Sequence, residues 1–484
     1  MKSGRIAIIG LLFCVTALSA QVESLYFLRS NNARMQYNPG LPARQNFHLG
    51  IGAGNFGFSL NTGPLTYNNL FVQGEDGYKY INVDQLVYAF KQPKEQTGRL
   101  EFRTEVLNFG LAIGNTSAGV SLQLRSDAAV RMPGEAFAYL LEGNAEYVGM
   151  PVTSEMSANG CAFMEAGLTL QHTFMKRFTI GVRPKYMVGL ACVQTREGEL
   201  RLYTDNDWNL HVGGVADISM LFPDENTYIS RNGNASYSSI MHAARHGHGF
   251  GLDAGADVML TDHIGLSFAM LDLGDIRWDG ADRYRRRRLT VGLNPDCPYY
   301  EDGDLVFKGI DYDQLRQLVE GDKPFEHIAD SLKEWLVYTW TEDSATAFRY
   351  NLVPKAMAEV RYSLTDNHSL SALLRTDFLP EKVMPSVTLG YSGHFPFVDL
   401  GFSYTLWDNY GRKNLLGVGF DFKAGPVHWM LALHQLEMDW KEGRFQWKNM
   451  RQVAFQAGFY FAFGKRDPYK NKDKNKDNDK SDRK

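Results

Sequence analysis

Ala454–Phe463, which reads Ala-Phe-Gln-Ala-Gly-Phe-Tyr-Phe-Ala-Phe, is the stretch that decides the fold class. Every odd position from 455 to 463 is apolar, whereas the even positions are small or polar and include Gln456 and Tyr460. Alternate side chains of a strand point to opposite faces, so one face of this segment is a strip of phenylalanine. Such a segment is typical of a barrel wall with lipid outside and a polar lumen inside.

Other segments repeat this alternation. In Phe250–Leu260 the even positions are apolar and the odd positions include Gly251, Asp253, Gly255 and Asp257. Towards the C-terminus, short turns such as Phe395–Val398 alternate with longer loops, as in outer-membrane barrels. The sequence therefore predicts an all-β fold, a transmembrane antiparallel barrel of about 14 strands.

The ends of the chain differ from the barrel. Lys2 and Arg5, the apolar run Ile6–Val15 and the small residues at 17–20 predict a signal peptide over residues 1–20. Residues 21–45 are polar and aperiodic, which predicts an N-terminal hatch segment inside or beneath the barrel at 46–464. Residues 465–484 alternate Lys, Asp and Asn, which predicts a disordered basic tail in the periplasm.

One long insertion interrupts the strands between residues 279 and 350. Within it, Phe325–Trp340 places Ile328, Leu332 and Leu336 on one face of an amphipathic helix. This pattern predicts a partly helical outer-loop insertion.

Several functional classes find no support. The net charge of −4 gives no indication of a nucleic-acid partner. The chain lacks a Gly-x-Ser-x-Gly elbow, a His-Glu-x-x-His motif and a phosphate loop, so we expect neither an enzyme nor a cofactor. His242, His246 and His248 lack a further ligand at a diagnostic spacing, so we interpret them as loop residues without a metal.

Three cysteines remain after the predicted leader, Cys161, Cys192 and Cys297. An odd number argues against a disulfide framework. The apolar alternation places Cys161 inward and Cys192 outward on neighbouring strands, so we expect no bond between them.

Four short motifs resemble the long-chain fatty-acid transporter superfamily of outer-membrane barrels. They are Asn-Pro-Gly-Leu at 38–41, Gly-Phe-Gly-Leu-Asp-Ala-Gly at 249–255, Leu-Asp-Leu-Gly-Asp-Ile-Arg-Trp at 271–278 and Val-Pro-Lys at 353–355. The first departs from the superfamily, because Gly40 replaces its alanine. The resemblance, to an uncharacterised branch, implies 14 strands, an N-terminal hatch, an assembly signal at Phe463 and passage of hydrophobic molecules. Relatives of the fold also serve secretion as anchors or shuttles.

The alternation breaks in the strand that follows residue 263. Met270 should face out, yet Leu271 and Leu273 are both apolar, and a bulge near Asp272 would restore the pattern. In the superfamily a strand kink opens a lateral exit, so we predict a lateral gate here. Alternatively, Asp272 lies at the outer rim, where bulges are common. The predicted gate residues are Met270, Leu271, Asp272, Gly274 and Asp275.

Two charged groups accompany the predicted gate. A polar track in the lumen for a solute is predicted from inward-facing charges, although any barrel lumen of this size needs paired charges. An arginine cluster beyond residue 282 would suit lipopolysaccharide phosphates, or equally a solvated loop paired with acidic residues. The track comprises Glu165, Arg183, Lys185, Asp253 and Asp257, and the cluster comprises Arg283, Arg285, Arg286, Arg287 and Arg288.

The sequence and the resemblance together predict a bacterial outer-membrane barrel that binds or transports hydrophobic small molecules. The alternative is a non-transporting anchor or a secretion-associated interaction protein. Expected partners are outer-membrane lipid, lipopolysaccharide and a hydrophobic ligand, with no protein partner specified.

Overall fold

The structure is a computed structural model. It describes residues 23–29, 31–74, 77–92, 96–223, 247–278, 284–308, 334–342, 348–379, 383–407, 413–437, 440–441, 444–445, 449–466 and 469.

Fourteen antiparallel strands form a closed barrel, as the alternation predicts. Each strand pairs with its neighbour, and the last pairs with the first, with Phe463 opposite Phe47. In chain order the strands are β1 Gln45–Asn61, β2 Thr97–Ile113, β3 Thr116–Arg131, β4 Ser157–Phe174, β5 Phe178–Thr204, β6 Gly247–Met259, β7 Ile264–Trp278, β8 Lys355–Ser363, β9 His368–Phe378, β10 Val383–His394, β11 Val398–Trp407, β12 Lys413–Ala424, β13 Val427–Glu437 and β14 Gln452–Lys465.

The closing strand β14 shows the predicted alternation. Phe459, Phe461 and Phe463 are exposed on the outside, whereas Gln456 and Tyr460 are buried inside. Because the outward residues of the other strands are also large and apolar, the barrel presents the surface that a lipid bilayer requires.

The two ends of the barrel differ. At one end, short turns follow one another around the rim and are joined by backbone hydrogen bonds, such as those from Thr173 to Asn115 and from Lys423 to Phe397. We call this the short-turn end, and β14 terminates there. The opposite end, the long-loop end, contains all the long connections.

The long-loop end contains an outer sheet and small helices. Strand β5 has 27 residues and extends beyond the barrel, where it pairs with Leu210–Pro223. The remaining short strands are Val152–Glu155, Tyr284–Leu293, Tyr300–Glu301, Asp304–Phe307, Leu336–Glu342, Phe348–Asn351, the pair Phe71–Gln73 with Lys79–Ile81, and the pair Trp440–Lys441 with Arg444–Phe445. The helices at this end are α2 Tyr67–Leu70, α3 Val83–Phe90 and α4 Gly134–Glu142, with a 3-10 turn at Ala145–Tyr147. The helix α1 Glu23–Tyr26 and the 3-10 turn Asn32–Gln36 belong to the N-terminal segment inside the barrel.

The amphipathic helix predicted over residues 325–340 is wrong in its C-terminal part. Leu336–Glu342 is a strand paired with Tyr284–Leu293, and residues 325–333 lie outside the described residues. The reason is local composition, since Val337, Tyr338 and Trp340 favour strands and a partner strand is available.

The described residues of the segment 23–44 lie against inward-facing side chains of the barrel. Leu25, Phe27 and Leu28 join a buried cluster with Leu271 of β7 and Met430 of β13. The Tyr26 hydroxyl donates to Glu359 of β8 at 3.2 Å, and polar contacts elsewhere reach Gln456 and Glu105. The segment therefore occupies the barrel interior at these points.

None of the helices in the described part of the chain is long and apolar enough to cross a bilayer.

Candidate functional site

Strand β7 carries an extra residue in the middle of the barrel wall. Leu252 of β6 pairs with Leu273, but Ala254 pairs with Met270, so Asp253 lies opposite two residues. The second of these, Asp272, has a φ of 58°. This is the left-handed region, which residues other than Gly, Asn and Asp rarely adopt. This is a β-bulge, and it turns Asp272 into the barrel interior.

The bulge changes which side chains face inward. Leu271 and Asp272 are 2% and 3% exposed, whereas Met270 and Leu273 are 38% and 37% exposed. An apolar and an acidic side chain are thus buried next to each other, and the outward face remains apolar. Gly274 and Asp275 follow on the same strand, and Asp275 pairs with Arg277 and Arg349.

Three cations from three other strands hold the Asp272 carboxylate. Arg125 of β3 donates to both oxygens, at 2.8 and 3.0 Å. Lys185 of β5 donates to Oδ1 at 2.6 Å, and Lys355 of β8 donates to Oδ2 at 2.8 Å. The bulge is therefore connected across the lumen to distant parts of the wall.

The charges continue on the neighbouring strands. Glu165 accepts from Arg125 at 2.6 Å and from Arg183 at 2.8 Å. Asp253 lies 2.7 Å from Lys185 Nζ and accepts a hydrogen bond from the Asp272 backbone N–H, also at 2.7 Å. We call these seven side chains the bulge network, namely Arg125, Glu165, Arg183, Lys185, Asp253, Asp272 and Lys355. Four are cationic and three anionic, which leaves one formal positive charge in excess.

Of the five residues predicted as a lumen track, four join the bulge network and Asp257 does not. Asp257 pairs with Arg361 of β8, which also contacts Glu359. The sequence reasoning missed Arg125, Lys355 and Arg361. The period-two alternation of their strands predicts that these three side chains face inward. Their partners, however, lie far away in the sequence, so the contacts cannot be predicted from it.

The Asn38-Pro39-Gly40 motif packs against two glycines of the wall. A Cβ on Gly255 of β6 would lie 2.0 Å from Asn38 Oδ1, and one on Gly181 of β5 would lie 1.8 Å from the Pro39 carbonyl oxygen. A Cβ on Gly40 would lie 2.3 Å from the backbone N of Ala256. Glycine at position 40 is therefore required by this close approach.

The Leu-Asp-Leu-Gly-Asp-Ile-Arg-Trp motif at 271–278 ends in a tryptophan that fills a gap between two strands. Trp278 is buried, and Gly189 of β5 and Gly247 of β6 leave room for its indole ring. The ring also packs edge-to-face on Phe348, with centroids 5.5 Å apart. The tryptophan thus closes the inner face above the bulge.

Gly189→Ala is expected to destabilise the barrel by about 1–3 kcal/mol, because its Cβ would lie 2.0 Å from the Trp278 ring. The measurement is the temperature at which the barrel loses its compact mobility in SDS gel electrophoresis. Gly292→Ala is the control, since no atom lies within 4 Å of its added Cβ. Equal temperatures for both variants would contradict the packing.

A small space adjoins the bulge network on the side of the long loops. Its volume of about 10 Å³ is enough for a single water molecule. It is lined by charged side chains of the network and by apolar ones, including Arg125, Asp272, Lys355, Phe163, Tyr350 and Leu352. A larger occupant would need the surrounding side chains to move.

The predicted arginine cluster lies in the outer sheet rather than in a loop. Residues 285–288 belong to the strand Tyr284–Leu293, paired with Leu210–Pro223, and Arg283 lies outside the described residues. Arg288 donates to Asp217 of that partner strand at 2.6 and 2.8 Å. Its guanidinium therefore already has a carboxylate partner.

The histidines predicted as metal-free loop residues are only partly described. His248 lies in β6, and His242 and His246 lie outside the described residues. Within the described ranges, no three His, Cys, Asp or Glu residues are grouped so that they could hold a metal ion.

The C-terminal extension begins against the short-turn end. Lys465 still belongs to β14, and the Arg466 backbone N–H donates to the Arg44 carbonyl at 3.0 Å. The Tyr469 hydroxyl donates to Asp257 Oδ2 at 2.8 Å and lies 2.8 Å from Thr179 Oγ1. The predicted tail is therefore attached to the barrel at Tyr469, and residues 470–484 lie outside the described residues.

Tyr469→Phe removes the hydroxyl that contacts the Asp257 carboxylate. A hydrogen bond to a charged group is worth about 1.5–3 kcal/mol, so local release of the tail should become about tenfold more frequent. We expect trypsin to cleave after Arg466 about tenfold faster, measured by mass spectrometry of the released peptide. Cleavage at the wild-type rate would show that this contact does not hold the tail.

A closed barrel with an apolar outer face, charged interior and short turns at one end defines a transmembrane β-barrel of the outer-membrane type. Residues 39–433 match the model of a family of unknown function (DUF5723), and the chain belongs to that family. A search of the curated proteins finds no match.

The chain is similar in shape to several solved transporters. The toluene transporter TodX of Pseudomonas putida is 8% identical, with a TM-score of 0.41 over 92% of this chain and 98% of that one. The toluene transporter TbuX of Ralstonia pickettii is 10% identical, with a TM-score of 0.39 over 90% and 94%. A FadL homologue of Pseudomonas aeruginosa is 11% identical, with a TM-score of 0.37 over 90% and 94%. The predicted relationship to an uncharacterised barrel family is confirmed, and the fold itself is assigned from its own strand pairing.

Proposed function

We propose that this protein is an outer-membrane channel that admits hydrophobic small molecules and that the bulge in β7 is its lateral gate. The observation that carries the proposal is the bulge network. A left-handed Asp272 in the middle of the wall is held inward by cations from β3, β5 and β8. Local strain of this kind is concentrated at functional sites.

The two bulge residues are held differently: Asp272 by ion pairs, which can exchange partners when the strand moves, and Leu271 by the apolar cluster inside the barrel. Moving Asp272 away from its cations would widen the space beside the network, which the apolar side chains of Phe163 and Leu352 line. A hydrophobic molecule would then find an apolar lining that leads through the wall to lipid. The short-turn end would face the periplasm, where Tyr469 and residues 23–44 restrict the lumen as a hatch.

The described interior also supports a second candidate function. The space beside the network has room for about one water molecule, and side chains of the N-terminal segment pack against the inner wall. A barrel that stays filled in this way would suit an anchor or interaction protein, with the outer sheet facing its partner.

Entry of a hydrophobic probe into cells separates these two functions. N-phenylnaphthylamine fluoresces when it reaches membrane lipid. The fluorescence of cells that produce the protein should therefore rise faster than that of cells with an empty vector. Entry of a hydrophilic probe of similar size should not change, because the lumen remains filled. Equal rates for the hydrophobic probe, at equal amounts of folded barrel in the membrane, would favour the anchor.

A further inference from the structure

Two cysteines lie directly opposite each other in the barrel wall. Cys161 of β4 and Cys192 of β5 are register partners, and both are buried, at 3% and 1% exposed. The two sulfur atoms are not bonded to each other in the structure. The third cysteine, Cys297, belongs to a separate apolar cluster.

This arrangement overturns the expectation that Cys192 faces outward. Ala162 pairs with Ala191, but Phe163 pairs with Gly189, so β5 has one extra residue, Leu190, at this point. An extra residue in one strand reverses the inward and outward phase of everything beyond it. Cys192 therefore points to the same side as Cys161.

The pair lies where β5 changes its partner. Up to Val188, β5 pairs with β6, and from Cys192 onward it pairs with Leu221 and the rest of the strand Leu210–Pro223. The wall therefore branches here, and a link between β4 and β5 would hold the branch point together. Trp278 and Ile276, which follow the bulge in β7, belong to the same buried cluster as the two cysteines.

We propose that the exported protein carries a Cys161–Cys192 disulfide. Opposed residues in antiparallel strands have Cα atoms about 4.5–5.5 Å apart, within the range of about 4.4–6.8 Å that disulfides span. Compartments outside the cytoplasm are oxidising, so an exported thiol pair in this position meets suitable conditions.

The oxidant is a disulfide donor of the thiol–disulfide exchange class. One cysteine thiolate attacks a donor sulfur and forms a mixed disulfide, and the second thiolate then displaces the donor. The two cysteines lose two electrons to the donor, and the two protons of their thiols end on the donor's two sulfurs, which become a dithiol. Because both sulfurs are buried in the finished wall, the bond forms before β4 and β5 are covered and is afterwards shielded from reductants.

Counting thiols in the full-length protein tests this proposal. Cells are quenched with acid, the protein is denatured, and free thiols are labelled with a maleimide before any reductant is added. We expect one labelled cysteine per mature chain, Cys297, and three after reduction. Proteolysis without reductant should yield the peptides of Cys161 and Cys192 as one linked species.

Two variants make the count specific. Cys297→Ser should leave no labelled thiol before reduction, and Cys161→Ser should leave two, because Cys192 loses its partner. Three labelled thiols in the wild type, or a linked peptide that contains Cys297, would overturn the proposal. The wild-type count stands even if a variant fails to fold.

Discussion

Asp272→Asn is expected to cost about 3–5 kcal/mol of barrel stability, because it removes the buried carboxylate that pairs with Lys355 and leaves Arg125 and Lys185 with only Glu165 and Asp253 as anionic partners. Arg125, Lys185 and Lys355 all donate to this side chain, and the amide that replaces it carries no charge. The temperature at which the barrel loses its compact mobility in SDS gel electrophoresis should fall clearly. If the variant still folds in cells, entry of the hydrophobic probe should also rise, since the network would hold the bulge less firmly.

Asp275→Asn is the matched control, with the same chemical change three positions further along β7. Its partners Arg277 and Arg349 have side chains that are 56% and 55% exposed. Exposed ion pairs are worth about 0–1 kcal/mol, so this variant should behave almost like the wild type. Equal losses of stability in both variants would show that the buried ion pairs of the bulge network contribute no more to stability than exposed ones.

Gly255→Ala is expected to displace the Asn38-Pro39-Gly40 motif from the wall. Its Cβ would lie 2.0 Å from Asn38 Oδ1 and 2.9 Å from the Gly40 backbone N, and that backbone cannot yield like a flexible side chain. We expect a loss of about 1–3 kcal/mol in the docking of this segment. Ion conductance across a planar bilayer should increase, because the lumen loses part of its filling.

Gly251→Ala provides the comparison on the same strand. Its Cβ would meet Lys185 Cε at 3.2 Å and Met187 Cε at 3.3 Å, the ends of two flexible side chains. The expected conductance is that of the wild type. If Gly251→Ala and Gly255→Ala conduct alike, the N-terminal segment does not control the lumen.

Strand periodicity alone reveals much of the barrel. The closing strand β14 and its phenylalanine strip follow directly from alternation, and so does the inward phase of Glu165, Arg183, Lys185 and Asp253. Each of these predictions depends only on neighbours within one strand, where the period of two is strict. The alternation of short turns and long loops also predicts an even strand number, and the count of periodic segments gives about 14.

Features that depend on a single extra residue are harder to predict. The break at Asp272 is visible because two apolar residues appear out of phase, whereas Leu190 is itself apolar and leaves no such mark. The phase of Cys192 is therefore wrong in the sequence-based reasoning. Contacts across the lumen, such as those from Arg125 and Lys355 to Asp272, also need the closed barrel before they can be recognised.

Sequence patterns predict the structure of segments outside the barrel less well than that of the barrel strands. The spacing over Phe325–Trp340 fits an amphipathic helix, but a partner strand in the outer sheet makes its C-terminal part a β-strand, Leu336–Glu342. The attachment of Tyr469 is likewise invisible in a run of Lys, Asp and Asn. In both places tertiary contacts decide the structure, and local composition does not.

A reversible lock across the bulge tests the proposed gate most directly. Leu252 of β6 and Leu273 of β7 are opposed, outward-facing residues beside the bulge, and cysteines there should form a disulfide that holds the two strands together. Ala256 and Phe268 are opposed on the same two strands away from the bulge, and a lock there is the control. Wild-type cells with and without reductant control for the native cysteines.

The lock at 252 and 273 is expected to suppress entry of N-phenylnaphthylamine, and reductant should restore it. The lock at 256 and 268 should leave entry at the wild-type rate. Undiminished entry through the barrel locked at 252 and 273 would contradict a lateral gate in β7.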